Sequence, residues 1–214
     1  MIFFLLSLSA VCESPTWRQL HSTQGWTLHN TVENAVGSVE VWRKTIESIP
    51  CFVGKAKTDV EASILLDVAR DIEGSLSWSS ADLQESVTLH KSRRQMDYYQ
   101  RLSIPFVSNR HWFLRGKTER RNGELIFYWD RLIGGGPHVS FYKEKTKANP
   151  TAVEPPINVG GWSFVGEDDA VIVRYYICTH PGGSVPQQFQ AIGTARTLPN
   201  NLRDLILEGQ KREE

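Results

Sequence analysis

Residues 86–178 alternate in side-chain character with a period of two, and this long run limits the fold more than any other feature of the chain. Met96, Tyr98 and Gln100 share one face of an extended segment, while Asp97, Tyr99 and Arg101 share the other. Further on, His111, Phe113 and Arg115 alternate with Trp112 and Leu114, and Leu125, Phe127 and Trp129 alternate with Ile126 and Tyr128. The Asn122-Gly123 pair between those segments signals a two-residue hairpin, because both residues tolerate a positive φ. Residues 159–165 and the β-branched run 170–178 extend the pattern across a turn at Glu167-Asp168-Asp169. Strands that follow one another without intervening helices pair antiparallel, so the run predicts an antiparallel sheet.

Helical spacing flanks this run. Thr58-Asp-Val-Glu61 reads as a capping box, and Val60, Ile64, Leu65, Val68 and Ile72 follow at helical intervals. The spacing predicts an amphipathic helix from 59 to 72 or 73, ended by Gly74. After the sheet, Ser184 suits a cap and Pro186 a first helical position. Val185, Phe189, Ile192, Leu198, Leu202, Leu205 and Ile206 approximate one apolar stripe, which Pro199 should kink or divide. Near the start, residues 16–21 read as a short helix, and 39–44 and 51–57 as strands. Residues 134–156 read as a loop rich in Gly and Pro, with a short strand at 139–143. The fold class is α+β.

Twenty-four basic and twenty-four acidic side chains give a net charge of zero over 214 residues. A general nucleic-acid binder needs a cationic excess to displace counterions, so nucleic acid is not an expected partner. Aromatics make up 10% of the chain, with seven Trp, and such large rings must be buried in a core or around a ligand. Residues 2–11 read IFFLLSLSAV, and no charged side chain occurs before Glu13. That run is too short to span a bilayer, which needs about 20 residues, and it fits the apolar centre of a secretory signal. Residues 1–12 are therefore expected to be a signal peptide on a secreted or periplasmic protein, with one domain over 13–214. Export permits a disulfide between the two later cysteines, Cys51 and Cys178, but a count of cysteines does not pair them.

Catalytic motifs are scarce. The chain holds no Gly-x-Ser-x-Gly elbow, no phosphate-cradling loop and no His-Glu-x-x-His pair. Gly134-Gly135-Gly136 is not followed by a Lys-Ser/Thr pair, and the six histidines show no metal spacing. No cofactor or metal is expected.

Four strings in order resemble the START lipid-transfer domain of the helix-grip superfamily. They are Phe52-Val-Gly-Lys-Ala-Lys running into the first long helix, Ile104-Pro-Phe-Val-Ser-Asn-Arg-His-Trp-Phe-Leu, Gly160-Gly-Trp-Ser-Phe, and His180-Pro-Gly-Gly-Ser-Val-Pro. Together they cover roughly residues 36–208. His111 and His180 stand where the family pattern has Asp.

The resemblance implies a curved antiparallel sheet wrapped around a long C-terminal helix, with an apolar ligand between them. It lays the strand before the first long helix antiparallel to the last strand, which implies a Cys51–Cys178 disulfide. Candidate lining residues are Trp78, Met96, Tyr98, Phe113, Phe127 and Trp129, with Trp162, Tyr175, Phe189 and Ile192 from the later elements. Each would serve equally well as plain core. Arg110 and His111 are the polar pair of interest, able to meet a ligand hydroxyl or carboxylate if inward, though the family pattern favours Arg110 in a salt bridge within the sheet. Residues 134–156 are the expected lid. Lys143 to Lys147, with Lys91, Arg93, Arg94, Arg120 and Arg121, offer a basic rim for transient contact with a membrane surface. The implied activity is binding, and possible transfer, of a lipid or sterol-like molecule by a monomer. The alternative is a cyclase or hydrolase on the same scaffold, acting on a bound aromatic or polyketide through an inward His111 or Asp97.

Overall fold

The computed structural model describes residues 13–104, 107–183, 185 and 187–214, the side chains of 187–192 excepted. The expected signal segment, Ser184, Pro186 and the side chains of Phe189 and Ile192 lie outside the described residues.

A short helix, α1 (Pro15–His21), precedes strands β1 (Thr27–Asn34), β2 (Gly37–Ile46) and β3 (Ile49–Thr58). Helices α2 (Ala62–Arg70) and α3 (Ser75–Trp78) lead to β4 (Leu83–Lys91), β5 (Gln95–Leu102), β6 (Arg110–Arg121) and β7 (Glu124–Arg131). A 3-10 turn over Ile133–His138 and α4 (Val139–Ala148) precede β8 (Ile157–Glu167), β9 (Ala170–His180) and α5 (Gln187–Glu213). The strands form one antiparallel nine-stranded sheet in the order β1-β2-β3-β9-β8-β7-β6-β5-β4. The Asn122-Gly123 hairpin is present, with φ of 49° and 84°.

Both faces of the sheet are covered, which explains the departures from simple alternation. On the inner face α5 crosses β3, and Leu198, Leu202, Leu205 and Ile206 are buried against Val39, Val41 and Ala56. Gly54 is the point of closest approach. A Cβ there would lie 2.0 Å from Leu198 Cδ2 and 2.4 Å from Leu202 Cδ1. On the outer face α1 buries Trp17 and Leu20 against Ile126, Tyr128 and Tyr176.

Three expectations need correction, and one strand has no sequence signal. Thr58 does not cap the helix, because it is the last residue of β3 and its backbone pairs with Val171. Its Oγ1 accepts only from the Val60 amide, and α2 starts at Ala62 with no side-chain cap. Residues 139–143 are helical, because β6 and β7 already have a neighbour on each side and a segment laid over their outer face has no edge to join. β1 shows no apolar periodicity because it is an exposed edge strand. Pro199 does not divide the last helix, which continues through it to Glu213.

Cys51 and Cys178 follow the Phe52–Ile177 pair of the β3–β9 ladder, with Cα atoms 4.4 Å apart and the sulfurs joined in a disulfide. A sequence separation of 127 closes a long loop, for which chain entropy gives up to about 5 kcal/mol. Intact-mass measurement should find the unreduced protein lighter by two hydrogens. Replacing both cysteines by Ser should lower the denaturant midpoint accordingly. Gly54→Ala should cost about 1–3 kcal/mol in urea unfolding, because the new methyl has to displace two fully packed leucines.

Candidate functional site

Strand register fixes which side chains share the inner face. Tyr98 of β5 pairs with Leu114 of β6, Gly116 of β6 with Trp129 of β7, Phe127 with Trp162 of β8, and Trp162 with Tyr175 of β9. Trp162 and Tyr175 stack with ring centres 4.0 Å apart, and Trp129 lies 6.2 Å from Tyr175 and 6.0 Å from Phe127. Gly160 makes room for this row, since a Cβ there would meet the Trp129 ring at 2.6 Å. Met96 lies in the same buried cluster, and Trp78 of α3 and Trp112 of β6 pack against it. The result is an aromatic wall drawn from five neighbouring strands. Among the described residues α5 packs chiefly on β1, β2, β3 and β9, and α2 lies over β7 and β8.

Polar atoms on this wall are few and placed. The Trp129 indole donates to Asn158 Oδ1 at 3.3 Å, and the Trp112 indole donates to Gln100 Oε1 at 3.3 Å. Burial pushes the Tyr175 hydroxyl up to about 12, against a hydrogen bond with Asn201 on α5. Burial and the neighbouring Tyr175 raise Tyr98 well above its ordinary value. Both phenols therefore stay protonated and can donate. The buried Trp78 Nε1 has no partner among the described residues. Sequence reasoning missed Trp112, Gln100 and Asn158, because a polar residue on a buried strand face looks the same as one on an exposed face.

Arg110 closes one end of the sheet. Its Nε donates to Pro181 O at 2.7 Å, its Nη2 to Gly182 O at 3.3 Å, and its Nη1 to Ser108 O. The side chain thus holds the turn that leads into α5 through backbone carbonyls, in place of the expected salt bridge within the sheet. His180 Nδ1 accepts the Gly182 amide at 3.1 Å, so the imidazole supplies the acceptor where the family pattern has Asp. Gly182 and Gly183 hold φ of 65° and 60°, the left-handed region that suits a residue without Cβ.

His111 and Phe113 lie on the outer face, one residue out of step with Leu114. They are buried with Tyr99, beneath Phe141 and Tyr142 of α4. Asp97 is also outer, with Arg115 Nε and Nη2 each 2.8 Å away and His138 Nε2 at 3.0 Å. Neither His111 nor Asp97 reaches the aromatic wall. The segment expected as a lid covers this outer face and is tied down by Lys145 to Glu85 and by Tyr142 to Glu154. Arg120 and Arg121 lie at the opposite end of β6 from Arg110. No three His, Cys, Asp or Glu side chains converge as metal ligands among the described residues. No helix among them is long and apolar enough to cross a membrane.

No family profile matches the chain, and no curated protein matches its sequence. Solved structures do. A STAR-related lipid transfer protein from Xanthomonas axonopodis is similar with a TM-score of 0.73 at 22% identity, over 87% of this chain and 99% of that one. Human STARD10 is similar at 0.72 and 17% identity, over 92% and 78%. The Zhui aromatase/cyclase from Streptomyces sp. R1128 is similar at 0.53 and 10% identity, over 77% and 95%. The chain has the START helix-grip fold.

The outer-face polar groups set an acid limit. Burial alone would push the Asp97 carboxyl up, but the hydrogen bonds and charges of Arg115 and His138 outweigh it and hold the carboxyl below its ordinary value. Its stabilisation is present above the ordinary carboxylate range and is lost as pH falls through the lowered value. Burial holds His111 below its ordinary 6.5, so its contribution is present above that pH and is lost below it. His111→Gln should flatten the stability loss just below pH 6.5. Asp97→Asn should cost about 3 kcal/mol at neutral pH and remove the more acidic part of the profile, both read by urea unfolding across pH.

Proposed function

We propose that this chain binds a hydrophobic ligand, a lipid or sterol-like molecule, between the aromatic wall and the N-terminal half of α5. The wall carries the reading. Tyr98, Trp112, Trp129, Trp162 and Tyr175 converge on one face, with two protonated phenols and Asn158 as the polar points that would orient a ligand. Burial of an apolar ligand there contributes roughly 25 cal/mol per Å² of apolar surface removed from water. The lipid-transfer proteins of similar structure support this reading.

Transfer requires release to a membrane, and the Arg110 end suits a brief contact. Val107 is 40% exposed there, and Arg110 ties the adjoining Ser108 to the Pro181–Gly182 turn. The apolar leader supports export, so the carrier would work outside the cytoplasm. A cyclase reading draws on the Zhui aromatase/cyclase similarity, but the two acid–base candidates, Asp97 and His111, face away from the wall. That placement favours binding without chemistry.

A mass spectrum of the organic extract of purified protein is expected to show a bound hydrophobic species. After extraction, the protein should take up a fluorescent sterol or fatty acid. Trp162→Ala should weaken that uptake about tenfold, the scale of losing one buried aromatic anchor. An empty extract together with refusal of both probes would sink the proposal.

A further inference from the structure

The outer face of the sheet holds a cavity, at the end opposite Arg110. Its volume is about 570 Å³, within the range of small-molecule sites. Trp42 of β2, Lys55 of β3, and Arg174 and Tyr176 of β9 line it. The loop after α1, carrying Trp26, forms one side, and the β6–β7 hairpin, with Arg121 and Glu124, forms the other. Alternation along β9 separates it from the aromatic wall, since Arg174 and Tyr176 point out where Tyr175 points in.

We propose that this trough binds a planar organic anion, an aromatic ring bearing a single carboxylate. The ring has prepared surfaces. The Trp42 indole donates to Glu40 Oε2 at 3.0 Å, and the Trp26 indole donates to Ser22 O at 2.8 Å, so both rings are oriented before any ligand arrives. Tyr176, only 5% exposed, backs these rings, itself packed by Trp17, His21 and Trp26, and burial pushes its hydroxyl up to about 12.

The charge is also prepared. Lys55, Arg121 and Arg174 line the trough beside Glu124; Arg121 is paired with Glu13 and with Glu119 at 2.7 Å, so Lys55 and Arg174 are the two loosely held cations. Glu124 is already engaged by His21 Nε2 at 3.2 Å. Arg174 reaches Glu124 only at 3.5 Å, and Lys55 reaches Glu40 only at 3.7 Å. Both distances exceed the roughly 2.7–2.9 Å of a close charge-assisted bond, so a carboxylate on the ligand can recruit either cation at little loss. A neutral aromatic would use the rings and leave the cations idle, and a small inorganic anion would do the reverse.

The test uses the full chain labelled with ¹⁵N, titrated with 1-naphthoate and, separately, with the neutral 1-naphthalenemethanol. Naphthoate should move the indole N–H signals of Trp26 and Trp42, assigned through Trp26→Phe and Trp42→Phe, to saturation, while those of Trp129 and Trp162 stay in place. The alcohol should bind about tenfold more weakly, and Arg174→Gln and Lys55→Gln should each weaken naphthoate severalfold. Three results would overturn the proposal: equal binding of the alcohol, shifts confined to Trp129 and Trp162, or no saturable shift. Because the inner wall is read separately in the same spectra, failure at the trough leaves the lipid-binding reading untouched, and the converse also holds.

Discussion

The approach of α5 to β3 at Gly54 decides what the rest of the sheet can do. Leu198 and Leu202 fill the space that a Cβ would take, so the C-terminal half of the helix is locked against the sheet there. The lock is extended by Leu65 of α2, which closes on α5 at Gly209, and by Glu213, which accepts the Glu61 amide. With one half of the helix fixed, the inner face divides. One part carries the aliphatic side chains of Leu198 to Ile206 over Val39, Val41 and Ala56, and another the large aromatics of β5 to β9, within one buried cluster. Aliphatic chains interdigitate and exclude space. A row of stacked and tilted rings makes a flat wall, which suits an apolar guest.

The architecture was legible in the sequence because periodicity reports burial, and most of these strands bury at least one face. The same physics hid the register. On β6 both faces are buried, Trp112 and Leu114 toward α5 and His111 and Phe113 under α4, so alternation offered two equally apolar sets. Choosing Phe113 over Trp112 was a one-residue slip, which moves a strand's whole side-chain set to the other face. The cover that caused the ambiguity, α4, was itself unreadable as a helix. None of its residues is fully buried, so its sequence lacks an apolar stripe, and three preceding glycines suggested a loop. The capping box at Thr58 also failed. The helix starts four residues later, at Ala62, and the Thr58 hydroxyl accepts only from the Val60 amide before it.

The polar groups follow a division of labour that residue type alone did not announce. Arg110, placed by its motif at the edge of the expected cavity, spends its donors on three backbone carbonyls and so fixes the turn into α5. Asp97 and His111 are embedded under α4, where they support the outer face. What remains on the inner wall is phenol, indole and carboxamide, groups that orient a ligand by hydrogen bonds and carry no charge at neutral pH.

His180 shows how a fold keeps a turn while changing the residue that makes it. The Gly182 amide needs an acceptor, and a carboxylate two residues earlier would supply one. Here imidazole Nδ1 supplies it, with a ring that must leave that nitrogen unprotonated to do so. A carboxylate accepts whenever it is ionised, whereas an imidazole accepts only in its neutral form and in one tautomer. The bond sits between the disulfide-anchored end of β9 and the start of α5. Arg110 bonds Pro181 and Gly182 from the other side through their carbonyls. Two independent ties on one three-residue turn mean that neither alone sets the position of the helix.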